Sequence, residues 1–153
     1  KELFEEDPDL DGKDFVQDCI FETDLELLIP DTYVNQVAER LVLYQDLDNT
    51  KNDEELERFK TGLIDRFGPL PVQVEELIYS MQLRRMAKET GFEKLVIKGG
   101  KMIGYFISKP DSPYYQSTTF TRVLNFIQTN PKDCVMNERN EKLRLVFFYF
   151  KTI

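Results

Sequence analysis

Residues 94–108 read KLVIKGGKMIGYFIS, and they decide the fold class. Lys94 to Lys98 and Lys101 to Ser108 follow the period-two pattern of strands. The intervening Gly99-Gly100 tolerates the positive φ angles of a two-residue turn. A β-hairpin is therefore expected here, and the three segments immediately upstream of it have a different period.

Immediately before the hairpin, Pro71 suits the first position of a helix that carries Val74, Leu77, Ile78 and Met81 inward. That helix runs to about Thr90, where Gly91 stops it. One element earlier, Asn52 and Glu55 have capping-box spacing, with Asn in place of Ser or Thr. Leu56, Phe59, Leu63, Ile64 and Phe67 then recur at helical intervals until Gly68 and Pro69 end the helix. Earlier still, Pro30-Asp31 breaks the chain, and Asp31 can cap a helix from Thr32 to about Leu47. Its apolar stripe would be Val34, Val37, Ala38, Leu41 and Tyr44.

Before these helices, CIFETDLELLI at 19–29 alternates as a strand, with Ile20, Glu22, Asp24 and Glu26 on one face and Phe21, Leu25 and Leu27 on the other. Downstream of the hairpin, the PDSP loop at 110–113 leads to a fourth helix marked by Phe120, Val123, Leu124 and Ile127. Leu143 to Phe150 forms a closing strand. The expected fold is α+β: a helical N-terminal half of three helices, packed with a small, mostly antiparallel sheet and a fourth helix.

With 153 residues, the chain is long enough for one domain with a real core and too short for two ordinary ones. Residues 1–18 hold eight acidic and two basic side chains, and Pro8 and Gly12 interrupt any helix. Residues 1–20 are thus expected to be an acidic linker or arm, and 21–153 a single domain. The chain opens at Lys1 without a Met, which suggests a piece of something larger. No apolar run approaches the ~18 residues that span a bilayer, and the N-terminus lacks a basic segment followed by an apolar one. A cytoplasmic protein without membrane contact is expected.

A net charge of −8 repels a phosphate backbone, because nucleic-acid affinity comes largely from Lys and Arg releasing counterions. Direct nucleic-acid binding is not expected. The chain has no histidine, which removes Ser-His and Cys-His nucleophile pairs, His-liganded zinc and imidazole base chemistry together. Cys19 and Cys134 are isolated, so they suggest free thiols rather than a disulfide or thiolate metal site.

Asp46, Asp48, Thr50 and Glu57 occupy positions 1, 3, 5 and 12 of a calcium-loop template. Lys51 stands where the sharp turn wants Gly and adds positive charge beside the cation, so an acidic interhelix loop is the better reading. Neighbouring acids such as Glu54-Glu55 or Glu75-Glu76 do not face a common point on a helix and read as solvated faces. A small metal-dependent hydrolase using the 46–57 loop, or a stand-alone acidic protein-binding module, are the alternatives to a non-catalytic fragment. Arg84, Arg85 and Lys88 with Tyr114-Tyr115 are too few for a nucleic-acid surface. They read as long stems covering apolar surface.

The segment LIPDTYV…ERLVLYQDL…DEELERFKTGLIDRFGPLP, residues 28–71, resembles the opening of the C-terminal domain of bacterial transcription-repair coupling factors. The phrases LIPDTYV, RLVLYQ and LIDRFGPLP carry the likeness, which continues more weakly through LRRMAKETGFEKL at 83–95. The resemblance implies a regulatory, autoinhibitory domain of an ATP-driven DNA translocase that displaces stalled RNA polymerase. It implies no cofactor in this fragment, with ATP and Mg held by a motor upstream. It also implies docking on a UvrB-like module of the same parent, which masks the surface that binds UvrA.

Within the family phrase E-L-x-D-R-F-G, Asp65 matches the second acid, and Gly62 stands where the first is expected. Two readings remain for Asp65: an ordinary acid at a helix end, or a contact to basic residues of the UvrB-like module. An acid in the last turn faces the unfavourable end of the helix dipole and needs compensation. Arg66 is either that local compensation or a second interdomain contact.

Overall fold

The computed structural model describes residues 15–148, so the greater part of the expected acidic arm, residues 1–14, lies outside the described residues. After strand β1 (Ile20–Thr23) come three consecutive helices, α1 (Val37–Asp48), α2 (Asp53–Phe67) and α3 (Val72–Thr90), then strands β2 (Phe92–Lys98) and β3 (Lys101–Phe106), helix α4 (Thr118–Thr129), and strands β4 (Cys134–Arg139) and β5 (Lys142–Phe147). The fold is α+β, with its first half helical. Two compact units are distinguishable: a helical one over 25–82, and a sheet-bearing one that combines 15–24 with 83–148.

In the helical unit, the core is built by Ile29, Val34, Leu43, Leu47, Leu56, Leu63, Val74, Leu77 and Ile78. Each large side chain buried there contributes roughly 1.5–3 kcal/mol. The capping expected for α2 is present: the Asn52 side-chain oxygen accepts from the Glu55 N–H at 2.8 Å. Glu55 reaches back to accept from the Lys51 N–H at 2.8 Å.

Helix α1 differs from expectation. It starts at Val37, because residues 30–34 instead form a turn in which the Tyr33 and Val34 N–H groups donate to the Pro30 carbonyl. Its buried face carries Leu43 and Leu47, rotated by roughly a third of a turn from the expected stripe. Val37 and Leu41 are 61% and 59% exposed. The cause lies in α1 itself, which is apolar on most sides and so leaves helical periodicity without a single preferred face.

In the sheet-bearing unit, five strands are ordered β1-β2-β3-β5-β4. Only β1 runs parallel to its neighbour; the remaining pairings are antiparallel. Strand β1 ends at Thr23, sooner than the alternation over 19–29 suggests. There the Asp24 N–H donates to Ile97 and the Asp24 carboxylate accepts from the Gly99 N–H at 2.9 Å, closing the strand against the β2–β3 turn. A bulge at Glu93 lets Phe92 pair with Phe106 and Lys94 with Tyr105, so Phe92 points to one face and Lys94 to the other. Strand β4 carries little apolar periodicity and was not anticipated. It joins β5 through Asn140 and Glu141 at φ 54° and 64°, angles in which a two-residue hairpin usually places Asn-Gly.

Phe15, Phe106, Tyr114, Tyr115 and Phe120 form an aromatic cluster in this unit, with ring centroids 5.0–6.3 Å apart. Tyr114 is fully buried and donates its hydroxyl hydrogen to the Thr90 carbonyl at the end of α3. Gly91 makes that approach possible: at φ 106°, a Cβ there would lie 2.3 Å from the Tyr114 ring.

Candidate functional site

Asp65 and Arg66 lie in the last turn of α2, and the local structure holds that turn firmly. Gly68 ends the helix with its N–H donated to Ile64 at 2.9 Å. The Tyr33 hydroxyl donates to the Gly68 carbonyl at 2.6 Å and lies 3.3 Å from that of Leu63. The carbonyl of Gly68, left free at the helix end, is thereby met. The Tyr33 and Phe67 rings pack at 5.7 Å.

The structure separates the two candidate residues. The Arg66 guanidinium donates to Glu39 of α1 at 3.1 Å and sits 4.7 Å over the Phe67 ring. Its partner is Glu39, not Asp65. That ion pair is about half exposed on both sides, so it is worth little on its own. Asp65 is exposed, and among the described residues it has neither an ion-pair partner nor a side-chain hydrogen bond. It remains an uncompensated acid at the negative end of the α2 dipole. On the same unit Val42 and Ile64 are 53% and 42% exposed, adding to the apolar surface of Val37 and Leu41.

The other candidates resolve into structural roles. The Thr50 hydroxyl donates to the Leu47 carbonyl at 2.7 Å, and among the described residues no group of three or more metal-ligating side chains comes together. The Arg84 Nε donates to the Cys19 carbonyl at 3.0 Å and lies 3.8 Å from Asp18, tying β1 to α3. Tyr114 is packed inside its aromatic cluster, where no base can stack on it. Both cysteines are free and buried; burial raises the Cys19 thiol to about 11, partly opposed by Arg84.

A cleft of about 680 Å³ in the sheet-bearing unit is lined by apolar residues of α3, α4 and the sheet, with Glu89 and Arg122 its only charged groups. It assembles no nucleophile with a base. No helix of the described residues is long and apolar enough to cross a membrane.

These features define an α+β module whose chemistry of interest is on its surface. The TRCF domain family matches residues 23–117, and the chain belongs to that family, the C-terminal domain of bacterial transcription-repair coupling factors. It is 38% identical over 78 residues to the transcription-repair-coupling factor of Escherichia coli, covering 48% of this chain and 7% of that protein. It is 33% identical over 105 residues to that of Buchnera aphidicola subsp. Acyrthosiphon pisum, covering 69% and 12%. The solved C-terminal domain of a transcription-repair coupling factor superposes with a TM-score of 0.64 at 20% identity, covering 85% of this chain and 78% of that one. The chain thus spans only 6–12% of the length of the curated relatives it matches.

Proposed function

We propose that this domain is a non-catalytic, autoinhibitory clamp within a transcription-repair coupling factor. In this reading the parent is a cytoplasmic, ATP- and Mg-dependent DNA translocase that displaces stalled RNA polymerase and recruits UvrA for excision repair. The domain docks on the parent's UvrB-like module, masks the UvrA-binding surface, and releases it when polymerase is engaged. The domain itself hydrolyses nothing and makes no direct contact with nucleic acid or membrane.

The observation that carries this reading is Asp65, an exposed acid without a partner among the described residues, on a helix end fixed by Tyr33 and Gly68. A carboxylate so placed gains most from a basic surface brought to it. The exposed Val37, Leu41, Val42 and Ile64 supply apolar area for the same contact. Arg66 takes part as the second contact, since its half-exposed pair with Glu39 costs little to exchange at an interface.

Switching requires only that polymerase and docking favour different arrangements of the parent, so that binding one disfavours the other. The test is removal of the domain from the parent followed by measurement of UvrA binding. Tighter binding is expected, and unchanged binding would end the clamp reading.

A further inference from the structure

Among the described residues, one face of the sheet lies against α3 and α4, and the two faces differ sharply in charge. Leu95, Met102, Leu145 and Phe147 line the cleft together with α3 and α4. Strand alternation sends their neighbours to the opposite face. By the registers, that face carries the cations Lys94, Lys98, Lys101, Arg139, Lys142 and Arg144. The strands place Glu22 there, within 4 Å of Lys94 and Lys98, and Glu93 of the bulge, whose carboxylate accepts from the Ser108 N–H, lines the edge of the same face. In a chain of net charge −8, this is a basic surface.

Its pairing is costly as it stands. Lys98 lies directly across from Lys101, and Arg139 directly across from Lys142; like charges in opposed positions destabilise a sheet. Arg139 and Lys142 are exposed and have no ion-pair partner among the described residues. With Lys94, Tyr105 and Arg144 they line a concavity of about 420 Å³. Alongside this basic row, Val96, Ile103, Val146 and Val135 are aligned across four strands. Lys94 and Arg144 stand two residues from that row along their strands, roughly 7 Å, and Arg139 and Lys142 four, roughly 14 Å.

We infer that this face binds an acidic, extended protein segment, with carboxylates meeting Arg139, Lys142 and Arg144 and small apolar side chains meeting Val135, the exposed end of the valine row. An anion at Arg139, Lys142 and Arg144 relieves the Arg139–Lys142 pair; Lys98 and Lys101 lie at the opposite end of the strands, beside Glu22. A protein segment is favoured over single-stranded nucleic acid for two reasons. The face offers a single ring, Tyr105, already faced by Lys94 at 5.4 Å, whereas strand binding needs successive stacking platforms. A polyphosphate, charged at every unit, also meets more repulsion from the acidic chain than a peptide with a carboxylate at every second residue.

The test uses the 153-residue chain and a fluorescent ten-residue peptide of alternating Glu and Val, followed by anisotropy at low salt. Binding is expected, falling as salt rises. R139E combined with K142E is expected to weaken it by about tenfold or more. R139Q with K142Q, which removes charge without reversing it, weakens it less but in the same direction. R122E with K132E makes the same change in net charge, Arg122 lining the cleft on the opposite face, and leaves binding unaltered. No binding of the peptide, equal weakening by the face and control pairs, or tighter binding of a ten-nucleotide oligothymidine would each overturn the proposal.

Discussion

Tyr33 and Gly68, 35 positions apart in the sequence, are joined by a hydrogen bond of 2.6 Å from the tyrosine hydroxyl to the glycine carbonyl. This bond links the turn before α1 to the end of α2, and so sets the direction in which Asp65 leaves the helix. Replacing Tyr33 by Phe keeps the ring against Phe67 and removes only the donor. The expected loss is about 1–2 kcal/mol, because the carbonyls of Gly68 and Leu63 lose a shared partner. Urea unfolding of Tyr33→Phe beside the parent sequence measures it; identical midpoints would show that water replaces the hydroxyl without cost.

Gly62 lies inside α2, and a Cβ built there meets nothing within 4 Å. No close packing requires glycine at this position. Gly62→Ala is therefore expected to stabilise the domain by about 1 kcal/mol, read as a raised unfolding midpoint. Gly62→Glu fits the same open space and restores the first acid of the family phrase. Under the clamp reading it strengthens docking and reduces UvrA binding by the intact parent.

Alkaline pH should destabilise the sheet-bearing unit. Burial raises Cys19 from 9.0 to about 11, and burial also pushes Tyr114 and Tyr115 above their ordinary 10.0. A group whose folded-state pKa lies above its unfolded value contributes fully below the unfolded value and loses that contribution as pH rises through the folded one. Stability is thus expected to hold up to about pH 9 and to fall from there, with Cys19 acting between about 9 and 11 and the tyrosines extending the loss above 10.0. Denaturant midpoints across this range provide the measurement. Cys19→Ala should flatten the first part of the decline, and an unchanged slope would assign that part to other groups.

Much of this architecture can be read from local sequence signals, and the exceptions have physical causes. Asn52 with Glu55, Gly68 with Pro69, Gly91, and Gly99-Gly100 each mark a backbone event that few other residues permit, and α2, α3 and the β2–β3 hairpin lie between them. Helix α1 has no such marker at its start: Gln36 precedes it without a side-chain cap, and the apolar residues around most of its circumference leave its buried face to tertiary packing.

Strand β4 was hidden for a related reason. CVMNER is an edge strand with one flank unpaired, and Asn140-Glu141 makes the turn without the glycine that usually announces it. At the candidate site, the identities of Asp65 and Arg66 were legible in the family phrase. Their different circumstances were not, because the partner of Arg66 is Glu39, 27 positions away. The basic sheet face was equally invisible, since its charges come from four strands and converge only through their register.

The central claim concerns Asp65 as the docking charge of an autoinhibitory clamp, and the most direct measurement is UvrA affinity of the intact parent carrying Asp65→Arg. Asp65 is exposed and makes no ion pair or side-chain hydrogen bond among the described residues, so the variant should fold as before while placing a cation against a basic surface. The account predicts tighter UvrA binding, approaching that of the parent without the domain. UvrA affinity unchanged by Asp65→Arg, in a parent where removal of the domain does raise it, would contradict the account.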